Sequence, residues 1–337
     1  MCVHVERSIA EVGTVCKEKG VRRRRRVRHT PQRLLDRGAA VRDDGGMKFD
    51  RAKVWLWSRR IGWRVLVYGG LLVLLARFMV FPGAFLSLFG LMEGAPGWMA
   101  VHERVYEVDG TKLSGWLVER PGKPLAVFYG GNGKDAGVLA SATQEFDECA
   151  WLLVNYRGYG RSEGWPSEEK MVDDAVAVLD RVVKESGRSM EDVVLVGQSI
   201  GSGVAVQVAA RRKPGRLVLL VPFDSLLAVA KEKAPFLPVR WLVGDAFRSD
   251  KVAERVECPV FIFAGSRDTM IPPHHARTLS GLFPHVEVYR EFDCGHNDIW
   301  GAEGFYPAMK RALRLDAAIG GSAPDGGEGV PDEVAGD

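Results

Sequence analysis

The sequence predicts an α/β protein built on a mostly parallel sheet of eight strands, with helices on both faces. From about residue 100 to residue 315, short apolar runs rich in β-branched residues alternate with segments of helical spacing, which is typical of parallel strands joined by crossover helices. The first two runs instead flank Asp109-Gly110, a dipeptide that favours a tight hairpin. The sheet is therefore expected to open with an antiparallel pair and to continue with parallel strands.

The predicted strands are apolar runs bounded by turn residues. They cover residues 104–108, 112–119, 125–129, 150–155, 193–196, 217–221, 260–264 and 286–290. The clearest helix covers 167–185, where apolar residues recur at helical spacing behind Ser167, a good N-cap. Only residues 222–258 separate the sixth and seventh strands, so any cap over the sheet is small. Several apolar residues in this segment could line an acyl pocket or pack on the core as a helix: Leu226, Leu227, Phe236, Leu237, Trp241 and Leu242.

Composition and charge exclude several classes of protein. The 337 residues are 46% hydrophobic, enough for a large buried core. The net charge is +3, but residues 1–46 carry 12 Lys and Arg against 6 Asp and Glu, so the rest of the chain is weakly acidic. A nucleic-acid partner is therefore not expected. The five cysteines form no C-x-x-C pair and no His/Cys cluster spaced for zinc, so neither a disulfide framework nor a metal or cofactor is predicted.

The N-terminal region predicts a membrane anchor. Residues 65–86 contain one charged residue, Arg77, and are long enough to cross a bilayer. Arg and Lys are frequent in 47–64, which puts the N-terminus in the cytoplasm and the main domain on the other side. A cleaved signal peptide and a buried or interfacial helix are the alternatives. Residues 1–46 are either a disordered basic arm or precede the true start at Met47.

The remaining segments follow from composition. Residues 87–99 are an apolar linker, 100–315 are the main domain, and 316–337 are a disordered tail with six acidic residues and many glycines.

Ser199 is the strongest candidate for a functional residue. Four apolar residues precede Gly197-Gln198-Ser199-Ile200-Gly201, and small residues able to start a helix follow. A sharp turn between a strand and a helix presents a nucleophilic serine hydroxyl, and the flanking glycines allow close backbone approach. The same G-x-S-x-G pattern recurs around Ser162, but there it leads into turn residues. Context therefore favours Ser199 over Ser162.

A serine nucleophile needs a base, and the base needs an acid to orient it. In the order Ser, Asp, His, the acid follows a late strand and the histidine follows the last one. Asp268 and His296 stand at these positions. Asp224, after the preceding strand, is a rival acid, and the other histidines considered are His274, His275 and His285.

The anion formed during acyl transfer needs fixed donors. The backbone N–H groups of Ile200, directly after the nucleophile, and of Asn132, in the glycine-rich loop after the third strand, are the predicted oxyanion hole. A glycine-rich turn without a catalytic role is the alternative for that loop.

Five segments taken together resemble the α/β-hydrolase superfamily. They are Tyr129-Gly130-Gly131-Asn132, residues 155–164 (NYRGYGRSEG), Gly197–Gly201, Gly265-Ser266-Arg267-Asp268 and Gly295-His296-Asn297-Asp298. Over residues 100–315 the chain is similar to membrane-anchored members of the bud-emergence type and to their depalmitoylase, lysophospholipase-like and serine aminopeptidase-like relatives. The resemblance implies the α/β-hydrolase fold and a structural turn at Tyr156–Gly160. One departure is Gly130, where the family usually has histidine in the oxyanion loop.

The sequence thus predicts a serine hydrolase that acts on a small-molecule or lipid-like acyl substrate, an ester or a thioester, through Ser199, His296 and Asp268. Peptidase activity on short peptides is an alternative on the same fold. A non-catalytic hydrolase-like membrane binding protein is an alternative of another class. Haloperoxidase or dehalogenase chemistry is less favoured, because a dehalogenase typically carries a carboxylate where Ser199 stands.

Overall fold

The computed structural model describes residues 51–92, 94–240 and 246–314, except for the side chains of 51–54, 76, 77 and 79. The predicted basic arm (1–46), the start of the 47–64 flank, the acidic tail (316–337), Trp241 and Leu242 lie outside the described residues. The chain divides into two units, residues 1–58 and residues 59–337. The described part of the first unit, residues 51–58, is helical.

Eight strands form one sheet in the order β1-β2-β4-β3-β5-β6-β7-β8. Their bounds are Glu103–Val108, Thr111–Val118, Leu125–Tyr129, Ala150–Val154, Val193–Gln198, Arg216–Leu220, Val260–Gly265 and Val286–Phe292. The β1–β2 and β2–β4 pairs are antiparallel, and every pair from β4 to β8 is parallel. The predicted eight-stranded, mostly parallel sheet is confirmed.

The antiparallel start of the sheet depends on the turn between β1 and β2. Asp109 and Gly110 both have positive φ, +48° and +70°, and Val108 pairs directly with Thr111. This is the geometry of a two-residue hairpin loop whose twist matches that of the strands.

The core lies on both faces of the sheet, because successive side chains of a strand point to opposite sides. In β3 and β5, Val127 and Leu195 pack in one buried cluster, whereas Phe128 and Val196 pack in the other. All residues of β3 to β7 are buried. Strands buried on both faces are continuous apolar runs, which explains why the sequence located them well.

Within the part of the chain that the structure describes, the α-helices are α1 (Arg51–Val80), α2 (Pro82–Leu88), α3 (Ala140–Glu145), α4 (Glu168–Ser186), α5 (Ile200–Arg212), α6 (Leu226–Lys233), α7 (Pro273–Ser280) and α8 (Phe305–Leu313). The predicted cap of α4 is present, since the Ser167 hydroxyl accepts from the amide of Lys170. Gly187 ends this helix in the left-handed conformation at φ +68°.

The N-terminal helices correct the prediction for residues 65–86. The segment is not one helix: α1 ends at Val80, Phe81 leaves the helical conformation (φ −130°, ψ 60°), and Pro82 starts α2. Residues Gly83 and Ala84 are buried, and a Cβ at Gly83 would lie 2.1 Å from the Tyr159 ring. Among the described residues, no helix combines the length and the hydrophobicity that a bilayer crossing requires. The structure therefore does not support the predicted transmembrane anchor.

The segment between β6 and β7 is short, as expected, and its described residues (221–240 and 246–259) contain α6 and two 3-10 turns. Leu227 is buried in it, whereas Phe236 is 97% exposed and Leu237 is 54% exposed. Of the six apolar residues noted in the sequence, Leu227 therefore belongs to the core, whereas Phe236 and Leu237 lie on the surface.

Candidate active site

Ser199 occupies a strained turn between β5 and α5. Its φ is +54° and its ψ is −121°, a conformation that costs a non-glycine residue about 1–3 kcal/mol. The surroundings hold the turn on both sides: the Ser199 amide donates to the carbonyl of Leu220 (3.0 Å), and the Ser202 hydroxyl donates to the carbonyl of Ser199 (2.6 Å). Ser199 is thereby held in the turn directly beyond the end of β5.

The two glycines around this turn have no room for a side chain. A Cβ at Gly197 would lie 2.5 Å from the carbonyl oxygen of Gly201, and a Cβ at Gly201 would lie 2.0 Å from the carbonyl oxygen of Tyr129. The pattern G-x-S-x-G is therefore a requirement of close packing between β5, α5 and the loop after β3. This is the close approach that the sequence predicted.

The structure brings together the three predicted side chains, which come from three separate loops. His296 Nε2 lies 2.9 Å from Ser199 Oγ, and His296 Nδ1 lies 2.6 Å from Asp268 Oδ2. All three residues are less than 10% exposed. With the proton on Nδ1 directed at the carboxylate, Nε2 is left as an acceptor for the serine hydroxyl.

Asp268 is held by the turn that follows β7. Its Oδ1 accepts from the amides of Met270 and Ile271, both at 2.8 Å, while Oδ2 faces His296. A carboxylate can accept all three of these bonds. Both oxygens are therefore fixed, and the imidazole of His296 is oriented by a rigid partner.

The loop predicted to supply an oxyanion donor lies beside Ser199. A Cβ at Gly131 would be 3.7 Å from Ser199 Cβ. The Asn132 side chain is held at both ends: Nδ2 donates to the carbonyl of Val80 (2.6 Å), and Oδ1 accepts from the Tyr159 hydroxyl (2.7 Å). Ile200 is the first residue of α5, so its N–H has no partner within the helix.

The comparisons with known proteins identify the family to which the chain belongs. Residues 123–252 match the family model described as "Serine aminopeptidase, S33", and residues 230–303 match the one described as "alpha/beta hydrolase fold". The chain is 31% identical over 220 residues to an uncharacterized protein of Mycobacterium tuberculosis, covering 63% of this chain and 78% of that protein. The chain belongs to the α/β-hydrolase superfamily.

The comparisons also support the resemblance to proteins of the bud-emergence type and the α/β-hydrolase fold. The hydrolase is 25% identical over 197 residues to the protein bem46 of Schizosaccharomyces pombe, covering 56% of this chain and 66% of that protein. Its fold is similar to the crystal structure of an alpha-beta hydrolase from Vibrio vulnificus, with a TM-score of 0.53, 20% identity and coverage of 63% of this chain and 81% of that one.

Two tyrosines of the 155–164 turn contact the loop that was predicted to supply an oxyanion donor, and these contacts were not predicted from the sequence of this α/β hydrolase. The Tyr156 hydroxyl donates to the carbonyl of Gly130 (2.9 Å), as Tyr159 does to Asn132. Burial raises the pKa of both hydroxyls well above the ordinary value, so they stay protonated donors. The hydroxyls support a loop in which Gly130 replaces the usual histidine.

The remaining motif residues have structural contacts. Ser162 is buried, and its hydroxyl accepts from the amide of Ser114 (2.9 Å). Arg157, for which no chemical role was predicted, makes a buried pair with Asp174 through Nε (2.6 Å) and Nη2 (2.7 Å). These contacts tie the turn to β2 and to α4. Cys294 is buried, which raises the pKa of its thiol.

The rival acid has a partner of its own. Asp224 Oδ1 lies 2.8 Å from Nδ1 of His275, a residue only 4% exposed. Burial disfavours the charged forms of Asp224 and His275, but hydrogen bonds and the attraction between the two groups together outweigh this effect. The net result is a lowered pKa for Asp224 and a raised pKa for His275. His285 is exposed at the start of β8. The structure therefore pairs Asp268, and not Asp224, with His296.

Proposed function

We propose that this α/β hydrolase cleaves ester or thioester bonds of small acyl substrates through a covalent acyl-enzyme on Ser199. The observation that carries the proposal is the continuous chain from Ser199 Oγ to His296 Nε2 (2.9 Å) and from His296 Nδ1 to Asp268 Oδ2 (2.6 Å). A hydroxyl, a base within hydrogen-bond reach and an acid that orients the base are what nucleophilic acyl transfer requires.

In the first half of the proposed reaction, His296 Nε2 removes the proton of Ser199 as Oγ bonds to the carbonyl carbon of the substrate. The carbonyl oxygen becomes an anion that accepts from the amides of Ile200 and Asn132. Collapse of this intermediate breaks the bond to the alcohol or thiol. The leaving group takes the proton from His296, and the acyl group remains on Ser199.

In the second half, a water molecule replaces the leaving group. His296 takes a proton from the water as its oxygen attacks the acyl carbon, and the second intermediate expels Ser199 Oγ, which regains the proton. The products are a carboxylic acid and the free enzyme. Asp268 holds the imidazole in the orientation that both halves need and stabilises its positive charge.

The proposed preference for apolar acyl groups depends on the surface of the segment between β6 and β7. Phe236 and Leu237 expose apolar side chains there, and we propose that these side chains contact an apolar acyl group of the substrate. A second candidate is hydrolysis of peptide amides, because the matched model for residues 123–252 is described as a serine aminopeptidase.

The test compares substrate classes on wild type, Ser199→Ala and Ser162→Ala. p-Nitrophenyl acetate, butyrate and octanoate, a butyryl thioester and amino-acid p-nitroanilides are the substrates. The proposal expects ester or thioester turnover that falls at least about 10³-fold in Ser199→Ala. Turnover should be largely kept in Ser162→Ala, the matched control, because Ser162 is the serine of the other G-x-S-x-G pattern. Turnover of the p-nitroanilides alone would select the peptidase. No turnover by folded wild type would reject catalysis in favour of a binding protein.

A further inference from the structure

Three potential metal ligands meet away from the triad, at the start of α7 and the end of α6. Ligand atoms of Glu232, His274 and His275 all lie within 4.8 Å of one another. Glu232 Oε2 is 2.9 Å from His274 Nε2 and 3.2 Å from His275 Nε2. We call these three residues the His–Glu cluster.

The geometry suits a tetrahedral cation. Zinc binds imidazole nitrogen and carboxylate oxygen at about 2.0–2.2 Å, which puts two ligand atoms about 3.4 Å apart. The separations around Glu232 Oε2 are close to that value. Both imidazoles present Nε2 to the same carboxylate oxygen, and all three ligand atoms lie within 4.8 Å of one another.

A second contact supports the same interpretation. Histidines that bind metals usually donate their other ring N–H to a carboxylate, which fixes the tautomer and raises the basicity of the ligating nitrogen. In His275, Nδ1 lies 2.8 Å from Asp224 Oδ1, and Nε2 is the atom that faces the cluster. His275 is 4% exposed, so its ring is held in this orientation by packing as well.

Charge also favours a cation. Glu232 and Asp224 carry two negative charges, while the rings of His274 and His275 have centroids only 4.3 Å apart. Two imidazolium ions at that distance would repel each other, whereas two neutral imidazoles bound to one divalent ion would not.

We propose that Glu232, His274 and His275 bind a zinc-type divalent cation, with Asp224 positioning His275 and with the fourth coordination position open. The bound ion joins α6 to α7. These two helices flank the turn of Asp268, because Lys233 Nζ donates to the carbonyl of Thr269 (2.6 Å). The ion would stabilise this part of the fold, and its binding is independent of the proposed reaction.

The test measures Zn²⁺ binding by isothermal titration calorimetry on the full chain after treatment with EDTA, and Co²⁺ binding by visible absorption. His274 and Glu232 are partly exposed, with side chains at 54% and 41%, so His274→Asn and Glu232→Gln are the variants of choice. His285→Asn is the matched control, because His285 is an exposed histidine outside the cluster. Circular dichroism verifies that each variant is folded.

The proposal expects one saturable Zn²⁺ per chain and the strong visible bands of tetrahedral Co²⁺. Affinity should fall at least about tenfold in His274→Asn and in Glu232→Gln and stay unchanged in His285→Asn. Zn²⁺ should raise the Tm of wild type and of His285→Asn only. Absence of saturable binding would mean that a proton on His275 satisfies both carboxylates, and it would overturn the proposal. Equal affinity in all four proteins would place the ion elsewhere and would overturn it as well.

Discussion

The hydroxyl of Tyr159 offers a direct test of how the oxyanion loop is held. Tyr159→Phe keeps a fully buried ring and removes the hydroxyl, which donates to Asn132 Oδ1 at 2.7 Å and also faces the backbone of Gly83. A typical buried hydrogen bond contributes about 1 kcal/mol, and an acceptor left without a partner can raise the loss to about 3 kcal/mol. We therefore expect the free energy of unfolding to fall by about 1–3 kcal/mol.

The kinetic consequence is separate from the loss of stability. Removal of an oxyanion donor costs about 2.7–4 kcal/mol of transition-state stabilisation. Tyr159→Phe only loosens the loop, since Asn132 Nδ2 still donates to Val80. We expect kcat to fall by about tenfold, equivalent to about 1.4 kcal/mol, with little change in KM because the interaction acts on the transition state.

The assay is steady-state hydrolysis of p-nitrophenyl butyrate, with urea unfolding in parallel. Tyr106→Phe is the matched control, because Tyr106 is buried and its hydroxyl has no hydrogen-bond partner among the described residues. Asn132→Ala and the double variant complete a cycle, in which the two losses should not add, since both remove the same bond. A folded Tyr159→Phe protein with wild-type kcat, or with a change in KM alone, would refute the reasoning.

Three further predictions address the turn, the acid and the thiol near the site. Gly201→Ala should lower the free energy of unfolding in urea by about 1–3 kcal/mol or more, because its Cβ would meet the carbonyl oxygen of Tyr129 at 2.0 Å, whereas Gly301→Ala, with open space at its Cβ, should not lower it. Asp268→Asn should leave the circular dichroism spectrum unchanged and lower kcat by about 10³–10⁴-fold; a smaller loss than tenfold would count against its role. Cys294, whose thiol pKa is raised by burial, should react with iodoacetamide in urea but not in the folded protein at pH 8, as peptide mass mapping would detect.

The sequence located the strands well for a physical reason. A strand covered on both faces must be apolar throughout, so β3 (Leu125–Tyr129) and β7 (Val260–Gly265) are visible as continuous runs between turn residues. The turn at Ser199 was visible because close packing leaves room only for glycine on either side. Order in the sheet follows from long-range pairing, which local patterns do not encode.

Other features of the structure were not predicted, because they depend on distant contacts. The apolar composition of residues 65–86 predicted a membrane span whose far end Pro82 could bend; in the structure Pro82 starts a separate helix that packs against Tyr159. The support of the oxyanion loop joins Asn132 to residues far away in the chain. The pairing of Asp224 with His275 was also hidden, because local patterns do not show that these two residues meet.

The central claim is that Ser199 is the nucleophile of a hydrolase. The most direct measurement is fluorophosphonate labelling of the purified folded chain, followed by mass mapping of the labelled peptide, with Ser199→Ala in parallel. The account predicts one label on Ser199, absent from the Ser199→Ala variant. Label on a different residue, or none on the folded wild-type protein, would contradict it.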